Sequence, residues 1–307
     1  MSRHESYQLL DFGGGRKLER FGTYVVDRPS PAADGAKRRD LQSWSPAAAR
    51  YDRLDGGQGR WTIEREPELP WTVALAQGTF ELRLTDWGQV GLFPEQSDNW
   101  RWITQQVRAV GHPCTMLNLF AYTGASTLAA ASSGAAVTHV DAAGGVVNWA
   151  RRNAELSELD AAPIRWIAED ALKFVRRELH RGRRYDAVIL DPPRYGHGPH
   201  GEVWQLEQQL PELLDLCLQL MGRDPRFLLL TCHSGELAHA EGLLRATMAA
   251  VPALRSSGSM QAAEMMVASA AGGSLHAGAQ VRWSAKSTAS RASQSMTSKE
   301  RRASPRP

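Results

Sequence analysis

Between residues 116 and 232, short apolar runs alternate with longer stretches of helical character, and nothing else in the chain constrains its fold as much. Met116–Phe120 precedes an Ala-rich helix at Ala125–Ser132, Val137–Asp141 precedes Val146–Leu156, and Ile164–Ala168 precedes Ala171–Leu179. Tyr185–Leu190 then leads to a long helix from about Glu202 to Leu220, and Phe227–Cys232 closes the series. Apolar strands separated by helices run parallel and are covered on both faces. The expectation is an α/β fold with a Rossmann-like sheet. Pro211 predicts a kink or a restart in the long helix, because proline removes one helical hydrogen bond and crowds the preceding turn. Glu264–Ser269 and Ala279–Trp283 read as closing strands that pair as an antiparallel edge.

Upstream the rhythm differs. Residues 1–95 hold short β-type runs (Thr23–Val26, Trp71–Ala76, Thr79–Leu84), with Gln77–Gly78 as a hairpin turn. A small β-rich N-terminal domain ahead of a main domain at 96–285 is therefore expected, consistent with about two domains in 307 residues. Hydrophobic residues at 42% and charged residues at 22% exclude a fibrous or wholly disordered chain. No apolar run approaches the ~20 residues of a membrane span and no signal-peptide core is visible, so a cytoplasmic location is expected. The net charge of +3 is misleading: residues 286–307 carry +5, leaving −2 for the rest. That Ser/Ala/Arg-rich stretch reads as a disordered basic tail. Cys114, Cys217 and Cys232 are odd in number and far apart, which supports neither a disulfide framework nor a zinc site. His197 and His200 flank Gly198-Pro199 without further ligands nearby, and read as a substrate loop; no metal is expected.

In an open parallel sheet, ligands bind beyond the carboxyl ends of the strands. The first strand ends in Asn118-Leu-Phe-Ala-Tyr-Thr-Gly124-Ala125, where Gly124 permits a tight turn into a helix whose N-terminal amides face a ligand. There is no GxGxxG, which disfavours a dinucleotide pyrophosphate. The second strand ends in Asp141, placed for two ribose hydroxyls, and the third runs into Glu169-Asp170, placed for an adenine amine. The fourth ends in Asp191-Pro192-Pro193-Arg194-Tyr195. Any one of these acids could simply cap a helix or form a turn. Polar residues at four successive strand ends instead fit an adenosine-type ligand with no pyrophosphate, S-adenosylmethionine.

The runs LNLFAYTGA, VDA, AEDALKFVRRE, YDAVILDPPRYGHGPHGEVW and FLLLTCHS resemble the class I S-adenosylmethionine-dependent methyltransferases. More narrowly they are similar to the bacterial family of the large-subunit rRNA cytosine-C5 methyltransferases. The resemblance covers about residues 90–285 and implies methylation of a nucleobase in RNA. It places Phe120, Tyr122, Thr123 and Gly124 at the methionine end of the cofactor, Asp141 at the ribose, Asp170 at the adenine, and Asp191 with Pro192 at the methyl-transfer point. GLFPEQSDNW is similar to a segment that touches cofactor or substrate, with Gln96 and Asn99 as matching positions. The chain departs from the pattern at Asn118, where many class I enzymes have an acid, and at Ala142-Ala143-Gly144-Gly145. The RNA-binding PUA domain of that family is not recognisable in residues 1–95.

Two acceptor chemistries stay open, with methylation of carbon expected slightly ahead of nitrogen. Cytosine C5 needs a thiolate to add at C6 first. Cys232, ending its strand in Thr-Cys-His-Ser, is the candidate, expected to face the same crevice as Asp191; the competing reading is a small buried strand residue. An exocyclic amine needs an acceptor for its N–H groups, for which Asp191 beside Pro192 is suited, with Tyr195 to stack on the base. Trp100 and Trp102 are further stacking candidates. A non-catalytic RNA- or protein-binding adaptor on the same fold, or methylation of a protein or small molecule, are the alternatives.

Overall fold

The computed structural model describes residues 7–285 except 46, 55–57, 199–200, 222–223, 234–241, 243–245 and 247–257. The 286–307 tail and His200 therefore lie outside the described residues.

The N-terminal part opens with a five-stranded sheet in sequential order: β1 (Tyr7–Gly13), β2 (Arg16–Phe21), β3 (Tyr24–Pro29), β4 (Ala49–Arg53) and β5 (Gly59–Ile63), with the short helix α1 (Leu41–Trp44) between β3 and β4. Of these only β3 was visible as a β-type run. Alternation fails elsewhere because the sheet buries charges: Glu19 is fully buried against Arg28 (2.8 Å) and Lys17 (3.1 Å). Buried Asp11 accepts from the Trp44 indole (2.8 Å) and three backbone amides. Such charges are tolerated inside only when paired and hydrogen-bonded. The expected hairpin follows as β6 (Thr72–Leu75) and β7 (Gly78–Glu81).

A 3-10 turn (Pro94–Gln96) leads into helix α2 (Ser97–Ala109) and then the strand–helix series. It comprises β8 (Thr115–Leu119), α3 (Ala125–Ala131), β9 (Ala136–Asp141), α4 (Gly144–Leu156), β10 (Ile164–Ala168), α5 (Ala171–His180) and β11 (Ala187–Leu190). A small hairpin, β12 (Tyr195–His197) and β13 (Val203–Gln205), precedes α6 (Leu206–Leu220), β14 (Phe227–Cys232), β15 (Gly258–Ala268) and β16 (Ser274–Ala285). The long helix thus begins at Leu206 rather than Glu202, because residues 203–205 pair with the strand leaving the Asp-Pro-Pro turn. Pro211 neither ends nor restarts it: as the sixth residue it forfeits one bond early in the helix, which continues to Leu220.

The seven-stranded sheet has the order β10-β9-β8-β11-β14-β16-β15. Strands β8 to β11 and β14 are parallel, and β16 runs antiparallel to both β14 and β15, so the two closing strands form the expected edge. The chain moves outward from β8 to β10 and returns at β11. This puts the topological switch point between β8 and β11, where open sheets bind ligands.

Two apolar layers cover the sheet. One holds Met116, Val137, Ile189 and Leu229 and continues without a break into Phe80, Val73 and Phe21 of the N-terminal part. The other holds Leu117, Val188, Leu230 and Cys232 against α5 and α6. At the far edge the β15–β16 turn meets β1, with the Ala270 and Ala271 amides donating to the Leu9 and Leu10 carbonyls at 2.9 and 3.0 Å.

Candidate active site

The turn from β8 into α3 is wound to the left: φ is +55° at Phe120, +49° at Tyr122 and +91° at Gly124. Non-glycine residues adopt this conformation rarely, and they concentrate at functional sites. The turn is locked from several sides. The Thr123 hydroxyl donates to the Gly91 carbonyl (2.6 Å), and the Asn153 side chain donates to the Thr123 carbonyl (2.9 Å). A side chain at Gly124 would sit 3.2 Å from the Ala150 methyl, so glycine also lets α3 and α4 approach.

Asp141, ending β9, accepts the Tyr122 amide on one oxygen (2.9 Å) and the Ala143 amide on the other (3.0 Å). Burial pushes its carboxyl above the ordinary value, against the pull of those amides. Each oxygen keeps a second lone pair, the pattern two ribose hydroxyls require. Asp170 accepts the Lys173 amide (3.0 Å) and so caps α5.

Asn118 is buried and donates to Thr127 (3.0 Å), which bonds His139 Nδ1 (2.9 Å). Burial pushes His139 down to about 3, so the whole chain is neutral. Asn118 therefore supports α3 from beneath the turn, and an acid there would bury a charge.

At the end of β11 the Asp191 carboxylate gathers three donors. Oδ1 takes the Thr231 hydroxyl and His233 Nε2 (3.0 Å); Oδ2 takes the Gln96 side-chain amide (3.1 Å). These donors, with His233 foremost, hold Asp191 below the ordinary carboxylate value despite burial, while Asp191 raises His233 to about 9. At neutral pH the two form an ion pair.

Cys232 is placed differently from expectation. Side chains on a strand alternate between faces, so Thr231 meets Asp191 while the Cys232 side chain packs in the Leu230 layer over α5 and α6. Tyr195 is 55% exposed on the β12–β13 hairpin, edge-on to His197. Pro192 is buried at the turn, and Trp204 anchors the hairpin by donating to the Pro193 carbonyl (2.7 Å) and packing on Phe120. Trp100 is buried against Phe80, and Trp102 packs edge-on to Phe227, so both are structural rather than stacking platforms. His233, Thr231 and Gln96 form the polar cluster that individual strand-end acids did not disclose; the period-2 alternation of Thr231-Cys232 was the available signal.

Among the described residues no His/Cys/Asp/Glu group is arranged to hold a metal, and no helix is long and apolar enough to cross a membrane.

Sheet order, left-handed turn and acid-lined crevice together define a class I S-adenosylmethionine-dependent methyltransferase. The chain belongs to the S-adenosylmethionine-dependent methyltransferase family, whose model matches residues 45–271. It is similar to an S-adenosylmethionine-dependent methyltransferase from Agrobacterium tumefaciens of known structure, with 38% identity, 93% of this chain and 92% of that one covered, and a TM-score of 0.84. Ribosomal RNA large subunit methyltransferase I of Salmonella arizonae is 28% identical over 212 residues, 62% of this chain and 51% of that protein. Ribosomal RNA large subunit methyltransferase K of Neisseria meningitidis is 31% identical over 110 residues, 35% of this chain and 31% of that protein. The chain thus spans about half or less of these curated relatives.

The residues present fit the cofactor. Asp141 has the open lone pairs for its ribose, and the cavity lined by Phe93, Gln96, Phe120, Tyr122, Gly124 and Asp191 lies at the switch point.

Proposed function

We propose that this enzyme methylates a base nitrogen in ribosomal RNA. The RNA part is supported by the names of its curated relatives. The choice of nitrogen is carried by one observation: Asp191 is ionised, uses three of its roughly four lone pairs, and leaves one on Oδ2 beside the cofactor turn. S-adenosylmethionine supplies an electrophilic methyl group when bound. The chain supplies alignment, which is most of what an in-line displacement asks of an enzyme. Asp191 accepts an amine N–H, orienting the nitrogen lone pair, and takes up the proton once the nitrogen is methylated. His233, protonated at neutral pH, keeps Asp191 ionised and is not itself the base. Asp170 completes the adenine end, Phe120 to Gly124 the methionine end, and Pro192 fixes the turn after Asp191. Placing Cys232 in the opposite layer supports nitrogen over carbon.

The test compares modified nucleosides, by mass spectrometry, in ribosomal RNA from cells with and without the protein. One methylated base is expected to vanish; an unchanged profile overturns the RNA reading. Asp191→Asn is expected to lower turnover about 100-fold or more, while Cys232→Ser retains it. A dead Cys232→Ser enzyme, with a trapped adduct on a 5-fluorocytosine substrate, overturns nitrogen in favour of carbon. Asp141→Ala is expected to weaken S-adenosylhomocysteine binding by about 1–3 kcal/mol, measured by isothermal titration, as for a hydrogen bond to a charged group.

A further inference from the structure

Behind Gln96 runs a line of side chains that none of the reactions above uses. Arg282, on β16, donates through Nε and Nη2 to the Asn99 side-chain oxygen at 2.9 and 2.7 Å. The Asn99 amide nitrogen donates to Gln96 Oε1 at 2.6 Å, and Gln96 Nε2 faces Asp191, Thr231 and His233. Asn99 and Gln96 are both buried.

The direction of this line is fixed chemically. Side-chain amides can be turned end for end with little change in shape, and only their partners decide which end is which. A guanidinium has five donors and no acceptor, so Asn99 must present its oxygen to Arg282 and its NH2 to Gln96. Gln96 must then present its own NH2 to Asp191. We propose that Arg282 is a positioning residue of the methyl-transfer site, acting through Asn99 to hold the Gln96 amide with its NH2 toward Asp191. The inference deepens the reading of Asp191 as the acceptor-binding group and rests on it for its consequence in catalysis, though not for the geometry. Arg282 lies over the Trp102 ring (5.4 Å to the centroid), which holds the guanidinium in place while burial lowers its pKa. The other charged groups near the line are Asp98, close to Arg282, and Glu95, close to His233.

Asn99→Asp tests the arrangement in the full chain. It keeps the shape and the bond to Arg282 but offers Gln96 an oxygen where it had a donor. The Gln96 amide is expected to turn over, and its side-chain NH2 protons to lose their nuclear Overhauser contacts to Thr231 and His233. With an accepted RNA substrate, kcat is expected to fall about tenfold, as for one lost hydrogen bond to a charged group, with KM for S-adenosylmethionine unchanged. Arg282→Met is expected to weaken the same contacts, and Arg282→Lys, which still only donates, to keep them. Retention of the Gln96 contacts to Thr231 and His233 in Asn99→Asp overturns the proposal. The magnetic resonance readout needs no acceptor. If the contacts move as expected but no RNA is methylated by the parent enzyme, the RNA reading fails and the positioning role stands.

Discussion

Asp191 is the residue whose environment decides most about this site, and its coupling to His233 makes a prediction about pH. His233 is raised from 6.5 to about 9, so its stabilising contribution is complete below pH 6.5 and is lost as pH rises through about 9. Asp191 is lowered from 3.8, so its contribution is present above pH 3.8 and is lost as pH falls through its depressed value. The pair therefore stabilises the fold most between about pH 4 and 6.5. His233→Gln is expected to flatten the fall in urea midpoint between pH 6 and pH 9.5 relative to the parent; an equal fall in both proteins refutes the pair as its source. Asp191 and Asp141 could be picked out in the sequence as candidates because polar residues recur at four successive strand ends, although each acid alone could have been a cap or a turn former. Thr231 and His233 were not, because their meaning depends on how the chain faces at the end of β14 and on Gln96, 135 and 137 residues earlier in the chain. The Cys232 thiol was misplaced for the same reason: a thiol at a strand end looks the same on paper whichever layer it enters.

Secondary structure was easiest to read where burial is uniform and hardest where charges are buried. The mostly apolar, buried strands β8, β11 and β14 announced themselves, whereas β1 and β2 carry Asp11 and Glu19 inward and break the alternation that identifies strands. The β12–β13 hairpin was missed because three-residue strands have too few positions to show a period. The β8–α3 turn joins these levels, since Gly124 both takes one of its left-handed positions and lets α4 approach. Gly124→Ala forces an L-residue to φ +91° and brings a methyl to 3.2 Å from Ala150. The expected loss is about 1–2 kcal/mol from the left-handed backbone alone, measured as a shift in urea midpoint, with weaker S-adenosylhomocysteine binding. Adding Ala150→Gly relieves the contact but not the backbone, so most of the loss should persist. Full recovery in the double variant means that crowding, not conformation, required glycine.

For the whole molecule, the division at residue 95 suggested by composition does not coincide with any gap in the core. Trp100, Ile103 and Val107 of α2 share one buried cluster with Phe80, Val73 and Phe21. The β6–β7 hairpin is stitched to α4 through the Thr79 amide on Ser157 (2.9 Å) and the Glu81 amide on Asn153 (2.8 Å). Asn153 in turn holds the cofactor turn at Thr123, and Gly91 holds it from the other side. A chain starting at residue 96 would expose the apolar face of α2, at about 25 cal/mol for each Å² returned to water, would lose the Gly91 clamp on the cofactor turn, and would leave Asn153 without the Glu81 amide it accepts. Residues 96–307 expressed alone are therefore expected to melt without a cooperative transition and to bind S-adenosylhomocysteine at least tenfold more weakly than the full chain, read by circular dichroism and isothermal titration. A sharp transition with parental affinity would mean that residues 1–95 are an independent module. Because the core is shared, the N-terminal part is expected instead to be structural support for the cofactor site, whatever else it contacts.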